Sequence, residues 1–159
     1  MKIYTIGYKG RSAESFFATL KKHGIQKLID VRRKNGSQLA GYAKGADLRY
    51  LLQECFDIVY EHIPDFGPPE DLLKEYRDRL GKRKKDDAAW TSYVAQFNNT
   101  VLSAPILAQF TDAVKNYDKV CLLCSETTAE RCHRRLLAEY FKERKPDIEI
   151  YHLGSPGLS

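Results

Sequence analysis

The sequence predicts one α/β domain spanning residues 1–159, with a mostly parallel sheet of about five strands covered by helices on both faces. Short, nearly continuous apolar runs alternate along the chain with segments whose apolar residues recur at helical spacing. This alternation is typical of a parallel sheet that is buried on both faces. The 159 residues are enough for one hydrophobic core that needs no cross-links.

Five apolar runs are the predicted strands, and they lie at residues 2–6, 27–31, 58–63, 119–124 and 148–153. Polar and reactive side chains stand at the end of several runs. Asp30 and Arg32 close the second, and Cys124 and Glu126 close the fourth. Because ligands of open α/β folds bind at the carboxyl ends of parallel strands, the sequence predicts a site at this edge of the sheet.

Six amphipathic segments are the predicted helices. The first begins after Ser12, a good N-cap residue, and apolar residues at helical spacing mark four more at 48–55, 72–76, 90–97 and 106–114. The last is predicted over 128–142, because residues 127–130 have the spacing of a capping box. Its N-terminal amides would then face Cys124, where they could bind an anion and lower the pKa of a thiol. The tail at 154–159 is expected to be loose.

Composition and charge limit the classes of partner. The net charge of +5 and the pI of about 9.0 favour anionic partners, either a small molecule or a nucleic acid. No apolar run approaches membrane-spanning length and no cleavable leader precedes the first strand, so we expect a cytoplasmic protein with no membrane partner. The four cysteines are too few and too clustered for a secreted disulfide framework. We expect no cofactor.

Cys121 and Cys124 have the C-x-x-C spacing, but they lie in a predicted strand. Strand side chains alternate between faces, so residues three apart point to opposite sides of the sheet. Cys121 is therefore expected in the core and Cys124 near the site. Two interpretations of Cys124 remain open, a reactive thiolate and an inert cysteine at the end of a core strand.

The remaining candidates are placed by residue type and position. Glu126, His133 and Asp30 are interpreted, with Cys124, as the catalytic set, because they supply an acid or base and groups that orient it. The candidates for substrate binding are Tyr8, Arg32, Arg134 and Cys132. The arginines are the expected anion clamps. Structural alternatives stand beside these roles, since Cys132 is also spaced as part of a core stripe and Arg134 could pair with Asp30 or Glu126.

Three motifs spread over nearly the whole chain carry a resemblance to a known family. They are Thr-Ile-Gly-Tyr-Lys at 5–9, Asp-Val-Arg at 30–32, and the pattern C-x-E-x5-C-H-R from Cys124 to Arg134. In these motifs the chain resembles the uncharacterised family catalogued as domain of unknown function 488, in which His-Ser usually stands where this chain has Tyr8-Lys9. The resemblance implies a small α/β fold with a shared polar site. It implies no particular reaction, and any role of that histidine is lost here or falls to Tyr8.

Three functions fit these observations, and we rank them in order. The first is an enzyme, a hydrolase or transferase of unknown reaction, that acts on a phosphate-bearing or nucleotide-like substrate at an anion-binding site. The second is a nucleic-acid-binding module, which the positive charge favours although no standard nucleic-acid motif is present. The third is a metal site formed by Cys124, Cys132 and His133, whose residue types suit zinc although their spacing matches no standard zinc pattern.

Overall fold

A computed structural model describes residues 1–36 and 40–154 of the chain, and the expected loose tail lies outside these residues except for Gly154. The described residues form five strands, which are β1 (Lys2–Gly7), β2 (Lys27–Asp30), β3 (Val59–His62), β4 (Lys119–Cys124) and β5 (Glu149–Leu153). They also form six α-helices, which are α1 (Ala13–Lys22), α2 (Gly45–Phe56), α3 (Glu70–Leu80), α4 (Asp87–Thr100), α5 (Ala104–Val114) and α6 (His133–Arg144). No helix among the described residues has the length and apolar character needed to cross a membrane.

The five strands form one sheet in the order β3-β2-β4-β1-β5, and every neighbouring pair is parallel. The predicted α/β class with a parallel five-stranded sheet is thus confirmed. Gly7 pairs with Cys124, and Asp30 pairs with Leu123. The carboxyl ends of β1, β2 and β4 therefore stand side by side, and the residues that follow these strands start from one edge of the sheet.

Both faces of the sheet are covered, which explains why the strands are nearly continuous apolar runs. Helices α1 and α2 pack on one face, where Phe16 and Leu48 are buried in the same cluster as Cys121. Helices α4, α5 and α6 pack on the other face, where stacked Phe110 and Phe141, with ring centroids 3.8 Å apart, share a cluster with Cys124. The prediction that Cys121 and Cys124 point to opposite faces is confirmed.

The predicted helix starts have mixed outcomes. Ser12 caps α1 as expected, since its hydroxyl accepts a 3.1 Å hydrogen bond from the Ser15 amide. The predicted start near Thr128 is wrong, because α6 begins at His133 with Cys132 at the N-cap position. Thr127 does not act in a capping box, since its hydroxyl donates instead to the carbonyl of Lys9 at 3.2 Å. Tertiary contacts hold this segment in bends and turns.

Gly7 permits a close approach of two loops at the sheet edge. A Cβ atom added there would overlap the backbone carbonyl of Glu126 and lie 3.0 Å from a guanidinium nitrogen of Arg134. The backbone of Glu126 cannot move aside easily, because Arg134 donates to that carbonyl at 2.5 Å. A side chain at position 7 would therefore push the β4–α6 segment away from β1.

We predict that Gly7→Ala lowers the free energy of unfolding by about 1–3 kcal/mol, the usual cost of forcing atoms into a packed position. Urea denaturation measures the change. Gly36→Ala is the matched control, because a Cβ added there meets no described atom within 4 Å. Equal stabilities of the two variants would contradict the close approach of the loops.

Candidate functional site

Cys124 and His133 form a thiol–imidazole pair where β4 ends and α6 begins. The Sγ atom of Cys124 lies 3.7 Å from Nδ1 of His133, and the Nε2 atom of His133 lies 2.9 Å from the carbonyl oxygen of Val31. Because a carbonyl can only accept, Nε2 must donate to it. Nδ1 is then free either to accept the thiol proton or, once protonated, to donate to a thiolate.

The surroundings favour the charged form of this pair. The adjacent Cys132 thiol, which donates toward Cys124, lowers the pKa of Cys124 well below its ordinary value, and His133 and Arg134 add to the effect against the opposing influence of burial. Burial acts to lower the pKa of His133, but the Cys124 thiolate and the Val31 carbonyl outweigh it, so the pKa of His133 is raised. A thiolate facing an imidazolium is the protonation state that both shifts support.

Cys132 places a second thiol against this pair. The sulfur atoms of Cys124 and Cys132 and one ring nitrogen of His133 all lie within 4.8 Å of one another. Burial and the neighbouring thiolate raise the pKa of Cys132 well above its ordinary value, so Cys132 remains a protonated donor. Two thiols and an imidazole at this separation are also a ligand set that suits zinc.

Arg32 is held rigidly by Asp30 at the end of β2. Its Nε and Nη2 atoms donate to the two carboxylate oxygens of Asp30 at 2.8 and 2.7 Å, and Nη2 also donates to the carbonyl of Ala43 at 2.7 Å. Asp30 is fully buried and accepts a further bond from the Tyr60 hydroxyl at 2.7 Å. The Nη1 atom of Arg32 is buried, yet it has no hydrogen-bond partner within residues 1–36 and 40–154.

The aromatic ring of Tyr8 packs near the guanidinium of Arg32. The Arg32 guanidinium carbon lies 5.2 Å from the centre of the Tyr8 ring, a cation–π distance. The amide of Tyr8 donates to the carbonyl of Cys124 at 3.3 Å, which extends the β1–β4 pairing past the strand ends. Tyr8 thus contacts both the backbone of Cys124 and the guanidinium of Arg32.

Arg134 occupies a different position from the one expected of an anion clamp. It is 1% exposed, and its nitrogens donate to the Thr5 hydroxyl at 3.3 Å, to the carbonyls of Glu126 and Thr127 at 2.5 and 3.5 Å, and to the Cys132 sulfur at 3.6 Å. These bonds fix the segment between β4 and α6. Arg134 therefore affects the site indirectly, because it holds the loop that joins Cys124 to Cys132 and His133.

A cleft of about 870 Å³ opens above these groups. Its buried lining is formed by Tyr8, Arg32, Cys124, Cys132 and His133, and its more exposed walls include Glu126, Tyr76, Arg77, Trp90 and Arg131. Nine lysine and arginine side chains line the cleft against four acidic ones, so its field favours anions.

Most of the residues nominated from the sequence meet at this cleft. Asp30 and Arg134 lie behind its lining and act through Arg32 and through the loop. Glu126 lies at the surface, where it forms a 2.9 Å ion pair with Lys9. The sequence did not predict that Trp90 and Tyr93 line the cleft. These two residues have the spacing of a core stripe on α4, and that spacing does not distinguish a core face from the wall of a cleft.

The fold and the cysteine–histidine site together define a class, that of small parallel α/β proteins with a buried thiol at the carboxyl edge of the sheet. The family described as "Domain of unknown function DUF488" matches residues 12–141, and the chain belongs to this family. The resemblance seen in the sequence motifs is thereby confirmed. No curated protein and no solved structure shows significant similarity to the chain.

We predict that Asp30→Asn destabilises the fold by about 3–5 kcal/mol, because it leaves the buried Arg32 without its counter-charge. Chemical denaturation measures the loss. Glu126→Gln, which breaks the exposed pair with Lys9, should change stability by less than about 1 kcal/mol. Similar effects of the two substitutions would show that the Asp30–Arg32 pair contributes little.

We predict a fixed order of thiol alkylation in the folded protein. Exposed Cys55 should react with iodoacetamide first, Cys124 second because it lines the cleft, and Cys121 last because it is fully buried on the opposite face with a raised pKa. Peptide mass spectrometry after timed quenching gives the order. Modification of Cys121 before Cys124 would contradict the placement of the cleft.

Proposed function

We propose that this protein is an enzyme in which the Cys124 thiolate is the nucleophile and the substrate carries a phosphate or similar oxyanion. The observation that carries the proposal is the Cys124–His133 pair, 3.7 Å apart, in a basic cleft that is also lined by Arg32, whose Nη1 atom has no partner among the described residues. The proposed nucleophile, the proton carrier and the hydrogen-bond donor for the anion thus belong to residues that line the same cleft.

His133 is the proton carrier of the proposed reaction. Its Nε2–H bond to the Val31 carbonyl fixes the ring orientation and keeps Nδ1 directed at the sulfur. With the thiol proton already on Nδ1, the Cys124 thiolate bonds to the electrophilic atom of the substrate, and the imidazolium gives its proton to the leaving group. Water or a second acceptor then releases the covalent intermediate, which makes the overall reaction a hydrolysis or a group transfer.

Arg32 is the proposed hydrogen-bond donor to the oxyanion of the substrate. Asp30 and Ala43 occupy its Nε and Nη2 atoms, so the guanidinium is preorganised and only Nη1 remains for a ligand. A buried donor without a partner is costly, and an oxyanion bound in the cleft would remove that cost. The Tyr8 ring, 5.2 Å from the guanidinium carbon, adds a cation–π contact to Arg32. Asp30 and Tyr8 are positioning residues in this scheme.

A small substrate fits these features better than a nucleic acid. The cleft volume of about 870 Å³ falls within the range typical of small-molecule sites, and Arg32, which carries the uncommitted donor, lines the cleft. Several basic groups around the cleft are already paired, such as Lys85 with Glu130 and Arg33 with Asp65. Nucleic-acid binding would instead show a steep salt dependence that phosphate binding at one arginine does not have.

A metal ion is the rival occupant, because Cys124, Cys132 and His133 could bind zinc. Elemental analysis of protein purified without added metal distinguishes the two functions. If the protein contains stoichiometric zinc and Cys124→Ser loses it, Cys124 is a metal ligand and not a nucleophile, and the proposal is overturned.

We predict that alkylation of Cys124 depends on pH with a midpoint below about 8.5, the value of an ordinary cysteine. The thiolate fraction rises as pH increases through the lowered pKa, so Cys124 is already reactive near neutral pH. His133→Asn removes the imidazolium and should move the midpoint upward. Exposed Cys55 in the same protein is the internal control. An ordinary midpoint for Cys124, or one insensitive to His133, would contradict the proposed pair.

We predict that inorganic phosphate stabilises the protein against heat. A ligand at about ten times its Kd adds about 1.4 kcal/mol, or roughly 3–6 °C in a domain of this size. Arg32→Lys should remove most of this shift, because lysine cannot both pair with Asp30 and present a fixed second donor. Lys82→Ala is the matched control, since it removes an exposed positive charge that does not line the cleft. Equal shifts in all three proteins would contradict a bound oxyanion at Arg32.

A further inference from the structure

The proposed reaction uses one thiol of the cleft and leaves a second, Cys132, unused. Cys132 is 3% exposed and lines the cleft next to Cys124, and the two sulfur atoms lie within 4.8 Å of each other. We propose that Cys124 and Cys132 form a redox pair, in which Cys124 is oxidised by a peroxide and Cys132 then forms a disulfide with it.

The other two cysteines of the chain do not meet these conditions. Cys55 is exposed on α2 and does not line the cleft. Cys121 is fully buried on the opposite face of the sheet, where burial raises its pKa. Only Cys124 and Cys132 combine proximity to each other with access from the cleft.

The first step is attack of the Cys124 thiolate on one oxygen of hydrogen peroxide. An S–O bond forms and the O–O bond breaks, so the sulfur is oxidised by two electrons to a sulfenic acid. The departing hydroxide takes a proton from the His133 imidazolium, 3.7 Å from the sulfur, and leaves as water. His133 thus serves the peroxide step as it serves the substrate reaction.

The second step is attack of the Cys132 thiol on the sulfenic sulfur of Cys124. An S–S bond forms, the S–O bond breaks, and the hydroxide leaves as a second water with the Cys132 proton. Arg134, whose Nη1 atom lies 3.6 Å from the Cys132 sulfur, stabilises the negative charge that develops there. Overall two thiols and one peroxide give one disulfide and two waters. An added dithiol then reduces this disulfide to the two thiols.

No helix or strand lies between the two cysteines to oppose formation of the disulfide. The sulfurs must approach to about 2.05 Å, and residues 125–132 lie in bends and turns rather than in a helix or strand. Cys132 is the N-cap of α6 and its carbonyl accepts a 3.1 Å bond from the Arg135 amide, so movement of Cys132 affects the helix only at its first turn. Because Cys124 is the proposed nucleophile, the disulfide would also switch off the proposed substrate reaction.

The test treats the reduced, full-length protein with one equivalent of hydrogen peroxide, followed by denaturation in an alkylating agent and tryptic mapping. Trypsin cleaves after Lys119 and after Arg131, which separates Cys132 from a peptide that carries both Cys121 and Cys124, and fragmentation of the linked pair identifies which of these two cysteines is joined. We expect a peptide pair joined through Cys124 and Cys132, with a loss of about 2 Da that dithiothreitol reverses. Cys55→Ser is the control and should give the same linked pair.

Cys132→Ser should stop the reaction at the sulfenic acid, which dimedone captures on Cys124. Conversion of wild-type Cys124 to sulfinic acid without the linked pair would overturn the proposal, as would linkage to Cys55 in equal yield. If Cys132→Ser fails to fold, the wild-type map still decides. A lowered alkylation midpoint without a disulfide would reject the redox pair and leave the proposed nucleophile standing, so the two proposals fail separately.

Discussion

The hydrogen bond from His133 to the carbonyl of Val31 is the interaction on which the site depends. It joins the first residue of α6 to the residue that follows β2, at a distance of 2.9 Å. This bond assigns the ring protons, because the carbonyl requires a donor at Nε2. Nδ1 is then committed to Cys124, and the thiol acquires a partner that can hold its proton. Without the bond the imidazole could turn away, and Cys124 would be an ordinary buried cysteine.

Two buried arginines serve this site in different ways. Arg134 has protein partners on its nitrogens and holds the carbonyls of Glu126 and Thr127 in the segment that leads from β4 to α6. Arg32 is neutralised by Asp30, and one of its nitrogens is left without a partner among the described residues. A buried donor without a hydrogen-bond partner is costly, so this nitrogen is the feature on which the proposed oxyanion site rests.

The N-terminus of α6 lies at the thiol–imidazole pair. Because the helix begins at His133 and not near Thr128, its positive dipole end lies at Cys132 and His133. That end favours negative charge on Cys124 and opposes positive charge on His133. Burial also acts to lower the pKa of His133, but the Cys124 thiolate and the Val31 carbonyl raise it overall. The helix end therefore favours the thiolate form of Cys124, and the attraction between thiolate and imidazolium favours the charged pair.

The sequence by itself determined the α/β class, the parallel sheet and the opposite orientations of Cys121 and Cys124, because these follow from hydrophobic periodicity, which is local. It also located the edge where Cys124, His133 and Arg32 meet. Only the tertiary structure decided that Thr127 bonds to Lys9 instead of capping a helix, since that bond joins residues 118 positions apart. The same holds for the internal role of Arg134 and the uncommitted nitrogen of Arg32. Residue type gives a guanidinium its charge, but only the packed neighbours determine which of its donors are already used.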